Sequence, residues 1–217
     1  MKYRIGRQPP RLLAVAAVAA ATALTMLGGA IPASAHTPIR LDRGDVLPWQ
    51  APLVLNGESP VMLFGTLDRP WAVRSAQLHM TAGQHLVLNL AIPNEAPENL
   101  LTNAELPVAL VISPDLTVVT VRPALRIPIQ TDSGQSLLVL QAYSTVAIAG
   151  DYSVVLTGAN PARFAVASGL EGLPFAGVTR GRIASDSAVA DWYATPPPSR
   201  HDDHQQEPRG AAGRIAG

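Results

Sequence analysis

The chain of 217 residues contains no cysteine. This excludes a disulfide framework, a thiolate nucleophile, a cysteine-ligated zinc site and lipid attachment through an N-terminal cysteine. Such a domain must be held by its core alone, which is feasible because a domain of about 150 residues buries roughly two thirds of its surface. Charge is scarce too, at 15% of residues, against about 25% in average soluble domains. No lysine follows Lys2, and aromatic residues make up only 5%. The formal charges balance at 16 basic against 16 acidic, but Lys2, Arg4, Arg7 and Arg11 all precede the first acid, Asp42. Setting those four aside leaves 12 arginines against 16 acids, a net charge of about −4. No basic stripe remains for a phosphate backbone, so nucleic acid is not an expected partner. Also missing are a G-x-S-x-G elbow, an H-E-x-x-H zinc motif and the glycine-rich G-x-x-x-x-G-K-[ST] and G-x-G-x-x-G loops. Each marks a chemistry that needs those residues at that spacing. The expectation is a protein that is not an enzyme.

What is present begins with residues 1–35, which have the three parts of a secretory signal peptide. A basic start is followed by the apolar run Leu12 to Leu27, then Gly28-Gly29, Pro32 and the small-residue site Ala33-Ser34-Ala35. Cleavage after Ala35 would make His36 the mature N-terminus and the protein secreted or extracytoplasmic. An uncleaved anchor is the alternative, but the run is short of the ~20 apolar residues that span a bilayer.

Beyond the leader, 20 prolines and 17 glycines suit short strands and turns rather than long helices. Residues 36–51 read as an irregular segment, broken by Pro38 and Pro48. Residues 52–193 read as the folded domain. Val61 to Leu67, Trp71 to Met80 and His85 to Ala91 are consecutive strands, the last two joined by a tight turn at Thr81-Ala82-Gly83-Gln84. Ala76, Leu78 and Met80 alternate with polar neighbours, as do Leu86, Leu88 and Leu90 with Val87 and Asn89; that period of two is a half-buried strand. Further strands are expected at Val108 to Ile112, Leu116 to Val121, Leu137 to Tyr143, Tyr152 to Thr157 and Arg163 to Ser168. Pro123 and Pro128 demote Arg122 to Gln130 to an edge strand or extended connection. Leu173 to Tyr193 is either a last strand or a strap, and no helix-period pattern of useful length appears. Residues 194–217 read as a Pro-rich linker and a disordered tail. The fold class is therefore all-β, an antiparallel β-sandwich, jelly-roll-like, of about eight or nine short strands.

Three segments carry a resemblance: Leu63-Phe64-Gly65-Thr66-Leu67 followed by Ala76 to Leu86 (AQLHMTAGQHL), then Pro107 to Pro114 (PVALVISP), then Ala149 to Leu156 (AGDYSVVL). They are similar to the "G-x-L … Y-x-F-x-L-x-A-G-x-x-L", central-strand and "A-G-x-Y-x-V-x-V" patterns of bacterial exported β-sandwich domains of the pre-peptidase C-terminal type. The similarity spans about residues 61–168. It implies a jelly-roll-like, non-catalytic sandwich that accompanies secreted enzymes or stands alone in the envelope. Where that family often carries a "D-x-D-x-Y" turn, this chain reads Arg69 to Ser75 (RPWAVRS), without acids.

Candidate chemistry is sparse. A mature N-terminal His36 offers its α-amine and ring nitrogen as a chelating pair for Cu(II), and one more imidazole would complete a three-nitrogen site. His79 and His85 flank the turn after Met80, on the outward face, where they can lie near each other across a strand pair; one of them could supply it if the N-terminal segment packs there, and equally both are ordinary exposed polar positions. His201-Asp202-Asp203-His204 could chelate weakly or be a solvated run. Trp49, Trp71 and Trp192 could form a sugar-stacking platform or cap the core. Glu95, Glu98 and Glu105 share one loop, Pro93–Pro107, and read as a solvated surface rather than an acid–base pair. The function expected is an exported, non-enzymatic binding or structural module acting on an unknown protein or polysaccharide. Copper binding and carbohydrate binding are the alternatives, and no other cofactor is implied.

Overall fold

The computed structural model describes residues 36–131 and 133–199. The leader, its cleavage site, the His201–His204 cluster and the tail from residue 200 lie outside the described residues. Twelve strands run in chain order as β1 (Thr37–Leu41), β2 (Leu53–Val54), β3 (Val61–Leu67), β4 (Val73–Met80), β5 (His85–Pro93), β6 (Val108–Ile112), β7 (Val118–Val121), β8 (Ile127–Gln130), β9 (Ser136–Val146), β10 (Gly150–Thr157), β11 (Ala162–Ser168) and β12 (Val178–Thr179). One helix, α1 (Asp186–Ala194), follows. The strands form two six-stranded sheets packed as a sandwich. The first has the order β1-β3-β11-β5-β9-β8 and the second β12-β2-β4-β10-β6-β7.

The alternating segments bury their apolar faces between the sheets. Leu63, Leu67, Leu86, Leu88, Leu90, Phe164 and Val166 come from the first sheet, and Ala76, Leu78, Met80, Val111, Val154 and Leu156 from the second. A bulge between β5 and β9 skips Leu140, which re-phases β9. Leu138 and Leu140 thus face the core, as does Tyr143 beyond the bulge.

Several expectations need correction. Residues 36–51 are not wholly irregular: β1 lies within them and pairs parallel with β3. β2 also joins β4 in parallel, so both sheets are mixed rather than purely antiparallel. The turn Thr81–Gln84 does not close a hairpin. β4 belongs to the second sheet and β5 to the first, so the chain arches across the sandwich there. The two alternating apolar faces meet across the core instead of lying side by side in one sheet.

Residues 169–184 are a strap that seals one lateral side. Leu170 N–H donates to Glu58 O, Leu55 N–H to Gly177 O, and Ala184 N–H to Pro38 O. β12 covers the edge of β2, and an isolated bridge joins Ile183 to Ile39. The strap begins at Gly169, whose φ of 91° and tight seat permit no side chain: a Cβ there would stand 2.1 Å from Ser59 O. The opposite side, between the edge strands β7 and β8, carries no such cover among the described residues.

The strap leads into α1, which the sequence pattern had not announced. Ser185 caps it, its Oγ accepting from Ala188 N–H, and Asp186 sits in the first turn where the helix dipole favours negative charge. Val189 and Trp192 pack on Phe64, Ala91, Leu137 and Ala165, making a small second core on the outer face of the first sheet. The Trp192 ring meets Phe64 edge-on at 5.3 Å and its Nε1–H donates to Gly65 O at 2.9 Å.

Arg163 fixes this third layer. It lies on β11, fully buried, with the equally buried Glu98 beside it. Its Nε and Nη2 each reach a Glu98 carboxylate oxygen at 2.8 Å, Nη1 reaches Glu95 at 2.8 Å and also donates to Tyr193 O. Burial works against the charge on Arg163, but Glu98 and Glu95 outweigh it and hold its pKa above the usual arginine value. The glutamates of the Pro93–Pro107 loop are therefore not all solvated: Glu98 is the anchor that ties this loop, β11 and α1 together.

Candidate binding groove

At the end of the sandwich where β1 and β3 finish and β4 begins, α1 and the Pro196–Pro198 segment wall off a groove of about 670 Å³. Its charged lining is three arginines and three aspartates, Arg40, Arg43, Arg74, Asp42, Asp68 and Asp191, and Thr66, Thr195 and Trp192 also line it. Arg40 Nε pairs with Asp42 at 3.1 Å and Arg43 Nε with Asp68 at 2.7 Å. Arg74 is buried, and its Nη2 meets the other oxygen of Asp68 at 2.9 Å while Nη1 donates to Val73 O. Its Nε has no hydrogen-bond partner among the described residues. Burial raises the Asp68 pKa, but the hydrogen bond from Arg74 and the charges of Arg74 and Arg43 more than reverse this, so it lies below the ordinary aspartate value.

Trp71 stands in the same turn as Asp68. Its N–H donates to Gly158 O at 2.7 Å, and Ala72 N–H donates to Arg69 O. Its φ is +61°, a left-handed conformation that side chains other than glycine adopt reluctantly. The residue is 71% exposed. The segment from Arg43 to Ala51 starts at this turn, through the Arg43–Asp68 pair, and continues along β4, where Ser75 Oγ donates to Val46 O at 2.7 Å. It carries Trp49, 64% exposed. The three tryptophans thus divide. Trp192 is 6% exposed and caps the second core, whereas Trp49 and Trp71 face solvent.

The three histidines are not brought together. His79 lies on the outer face of the second sheet, its Nδ1 2.7 Å from Asp151 Oδ1 on the neighbouring strand β10. His85 opens β5 in the first sheet, where its N–H donates to Glu58 Oε1 at 2.6 Å. Because β4 and β5 belong to different sheets, His79 and His85 are not cross-strand neighbours. His36 precedes β1, three strands from β5, or about 14 Å at the usual strand spacing. It is half-buried; burial lowers its pKa, opposed by the charge of Glu171. Among the described residues no group of three or more His, Asp or Glu side chains is arranged to hold a metal ion.

Sequence reasoning missed the groove because its lining is gathered from β1, the β3–β4 turn and the end of α1. A local signal existed for α1 alone: Ser185 with Asp186 marks a helix start, and Val189, Trp192 and Tyr193 follow at helical spacing. No protein-family model matches this chain, and no curated protein matches it in sequence.

Proposed function

We propose that the chain is an exported, non-catalytic binding module of the cell envelope or extracellular space, and that it engages its ligand, a polysaccharide or protein, at the groove end of the sandwich. The observation that carries this reading is Trp71. A left-handed backbone at a residue with a side chain costs about 1–2 kcal/mol, and the indole, mostly exposed, returns little burial to the folded domain. A strained, exposed aromatic beside a groove of paired charges is accounted for if the ring contacts something outside the chain. The leader pattern of residues 1–35 supports export, and the resemblance to pre-peptidase C-terminal-type domains supports an accessory rather than catalytic role.

The test is co-sedimentation of the purified exported protein with the insoluble envelope fraction of the producing cells. Wild-type protein should pellet, and Trp71→Ala should reduce that binding by at least tenfold. Pelleting that is undiminished in Trp71→Ala overturns the groove end as the binding face. Intact mass of the exported protein tests the export half: a start at His36 agrees with it, and a retained leader overturns cleavage.

A further inference from the structure

We infer that the chain forms a symmetric dimer, in which the open half of strand β9 pairs antiparallel with the same half of β9 in a second copy, about a two-fold axis at Ser144. The inference goes beyond the groove and does not rest on it. The groove is lined from β1, at the far edge of the same sheet, and pairing through β9 leaves it open.

The backbone is the first argument. On one side β9 pairs with β5 from Leu137 to Val146, but on the other β8 reaches only Ser136 to Val139. Leu140 O then accepts from Ala124 and Leu125 N–H, and among the described residues no strand runs beside β9 beyond that point. The register tells which groups stay open. Ala147 N–H donates to Gln84 O while His85 is level with Val146, so Thr145, Tyr143 and Gln141 exchange hydrogen bonds with Leu86, Leu88 and Leu90. Ala142, Ser144 and Val146 are in the other phase and turn N–H and C=O to the open side. Among the described residues their N–H groups have no partner. Two of the carbonyls receive only the adjacent side chain: Gln141 Nε2 donates to Ala142 O at 3.1 Å and Thr145 Oγ1 to Val146 O at 3.4 Å.

The second is what this edge lacks. Proline, charge and cover are the devices that keep a sheet edge from pairing. From Ser133 to Gly150 the chain has neither a proline nor a charged residue. Its neighbour β8 carries Pro128, and the lateral side opposite carries the strap. The open half of β9 is thus a bare strand edge in a sheet whose other exposed strand is guarded.

Self-complementarity is the third, and it selects a second copy as the occupant. Antiparallel pairing centred on Ser144 sets Ser144 against Ser144 and Ala142 against Val146, so that every outward N–H meets an outward C=O. The outward side chains, Ala142, Ser144 and Val146, are short and uncharged, and the symmetry creates no like-charge pair among them. The same register brings Ile148, 45% exposed, level with Leu140 of the second copy, where Leu125, 41% exposed, stands. The nearby cation Arg122 lies beside Gln141 and Ala142; the two copies of Gln141 are about 20 Å apart along the paired strands at the usual rise, well beyond the ~8 Å over which exposed charges act in physiological salt. Each copy uses the edge it offers, so the assembly closes at two.

The experiment is sedimentation equilibrium of the exported chain across a concentration series. Wild-type protein should fit a monomer–dimer equilibrium. Ser144→Lys sets two ammonium groups face to face at the axis and should raise the dimer dissociation constant at least about tenfold. Its melting temperature should equal that of wild type at a concentration where wild type is monomeric, because Ser144 is exposed. That match separates loss of the contact from loss of the fold. Ser144→Glu alone should also be monomeric, and mixing it with Ser144→Lys should restore a dimer of one copy of each. A second readout uses the absence of any native cysteine. Ser144→Cys should form a disulfide-linked dimer on mild oxidation, since paired Cα atoms about 5.5 Å apart lie within disulfide reach. Val146→Cys should not, its two copies being about 14 Å apart along the strands. A monomer at every concentration would overturn the dimer. A dimer indifferent to Ser144→Lys would overturn this edge as its interface. Disulfide formation by Val146→Cys as fast as by Ser144→Cys would overturn the register, and species that grow past two copies would overturn its closure.

Discussion

Arg163 ties the Pro93–Pro107 loop and α1 to β11. Its guanidinium is buried against a buried carboxylate, and neither can be left alone. Glu98→Ala should therefore cost about 3–5 kcal/mol, because it strands a buried charge. Replacing both partners, Arg163→Met with Glu98→Leu, should cost clearly less. Urea unfolding of the three proteins checks the order. Leu116 makes the opposite case. It closes the β6–β7 turn with φ +67° and is 80% exposed, so it combines backbone strain with no burial. Leu116→Asn should raise stability by about 0.5–1 kcal/mol, seen as a shifted urea midpoint at unchanged slope. Neither residue was legible in the sequence. The Arg163–Glu98 contact joins positions 65 apart, and a left-handed leucine looks in the sequence like any other leucine in a turn.

At the scale of elements, alternation was enough to find strands and not enough to find their partners. Val61 to Leu67 was legible as β3 from its own pattern, and Val108 to Ile112 as β6. The sheet each belongs to depends on which apolar face meets which, and a period of two is the same in either sheet. Helix α1 was missed because nine residues are too few for a repeating pattern, and its stability comes from the surface it covers. Trp192→Ala should accordingly cost about 3–5 kcal/mol and increase binding of an apolar-surface dye, as it opens the second core. Edge strand β8 was legible from its prolines, and the register adds a reason. Thr131 N–H donates to Gln135 O, so Ile127 and Ile129, in the same phase, turn their N–H groups toward β9. Pro128 therefore sits where an N–H would face outward, and blunts an uncovered edge flanked by exposed Ile127 and Ile129. Pro128→Thr should leave the fold intact and promote self-association, measured by sedimentation velocity across a concentration series.

At the scale of the whole molecule, His36 and Asp68 act in the same direction in the acid range. His36 has its pKa lowered by burial, so unfolding takes up a proton; its contribution to stability is complete above the unfolded value of about 6.5 and is lost as pH falls through the lower folded value. Asp68 has a folded pKa below the unfolded value of about 3.9, so its contribution is present above that pH and disappears as acid protonates it. Thermal melts between about pH 7 and pH 3 should fall in two stages, with His36→Gln flattening the first and Asp68→Asn the second.

The arching of the chain between sheets has a kinetic consequence. Among the strand pairings, β6 with β7 and β8 with β9 are the ones made between neighbours in sequence; every other pairing must wait for distant segments to meet. Loop closure has to be paid for before such pairings reward it, and folds of this kind form in milliseconds to seconds rather than microseconds. Each sheet therefore stays divided until a late strand arrives: β10 joins β4 to β6 in one, and β11 joins β3 to β5 in the other.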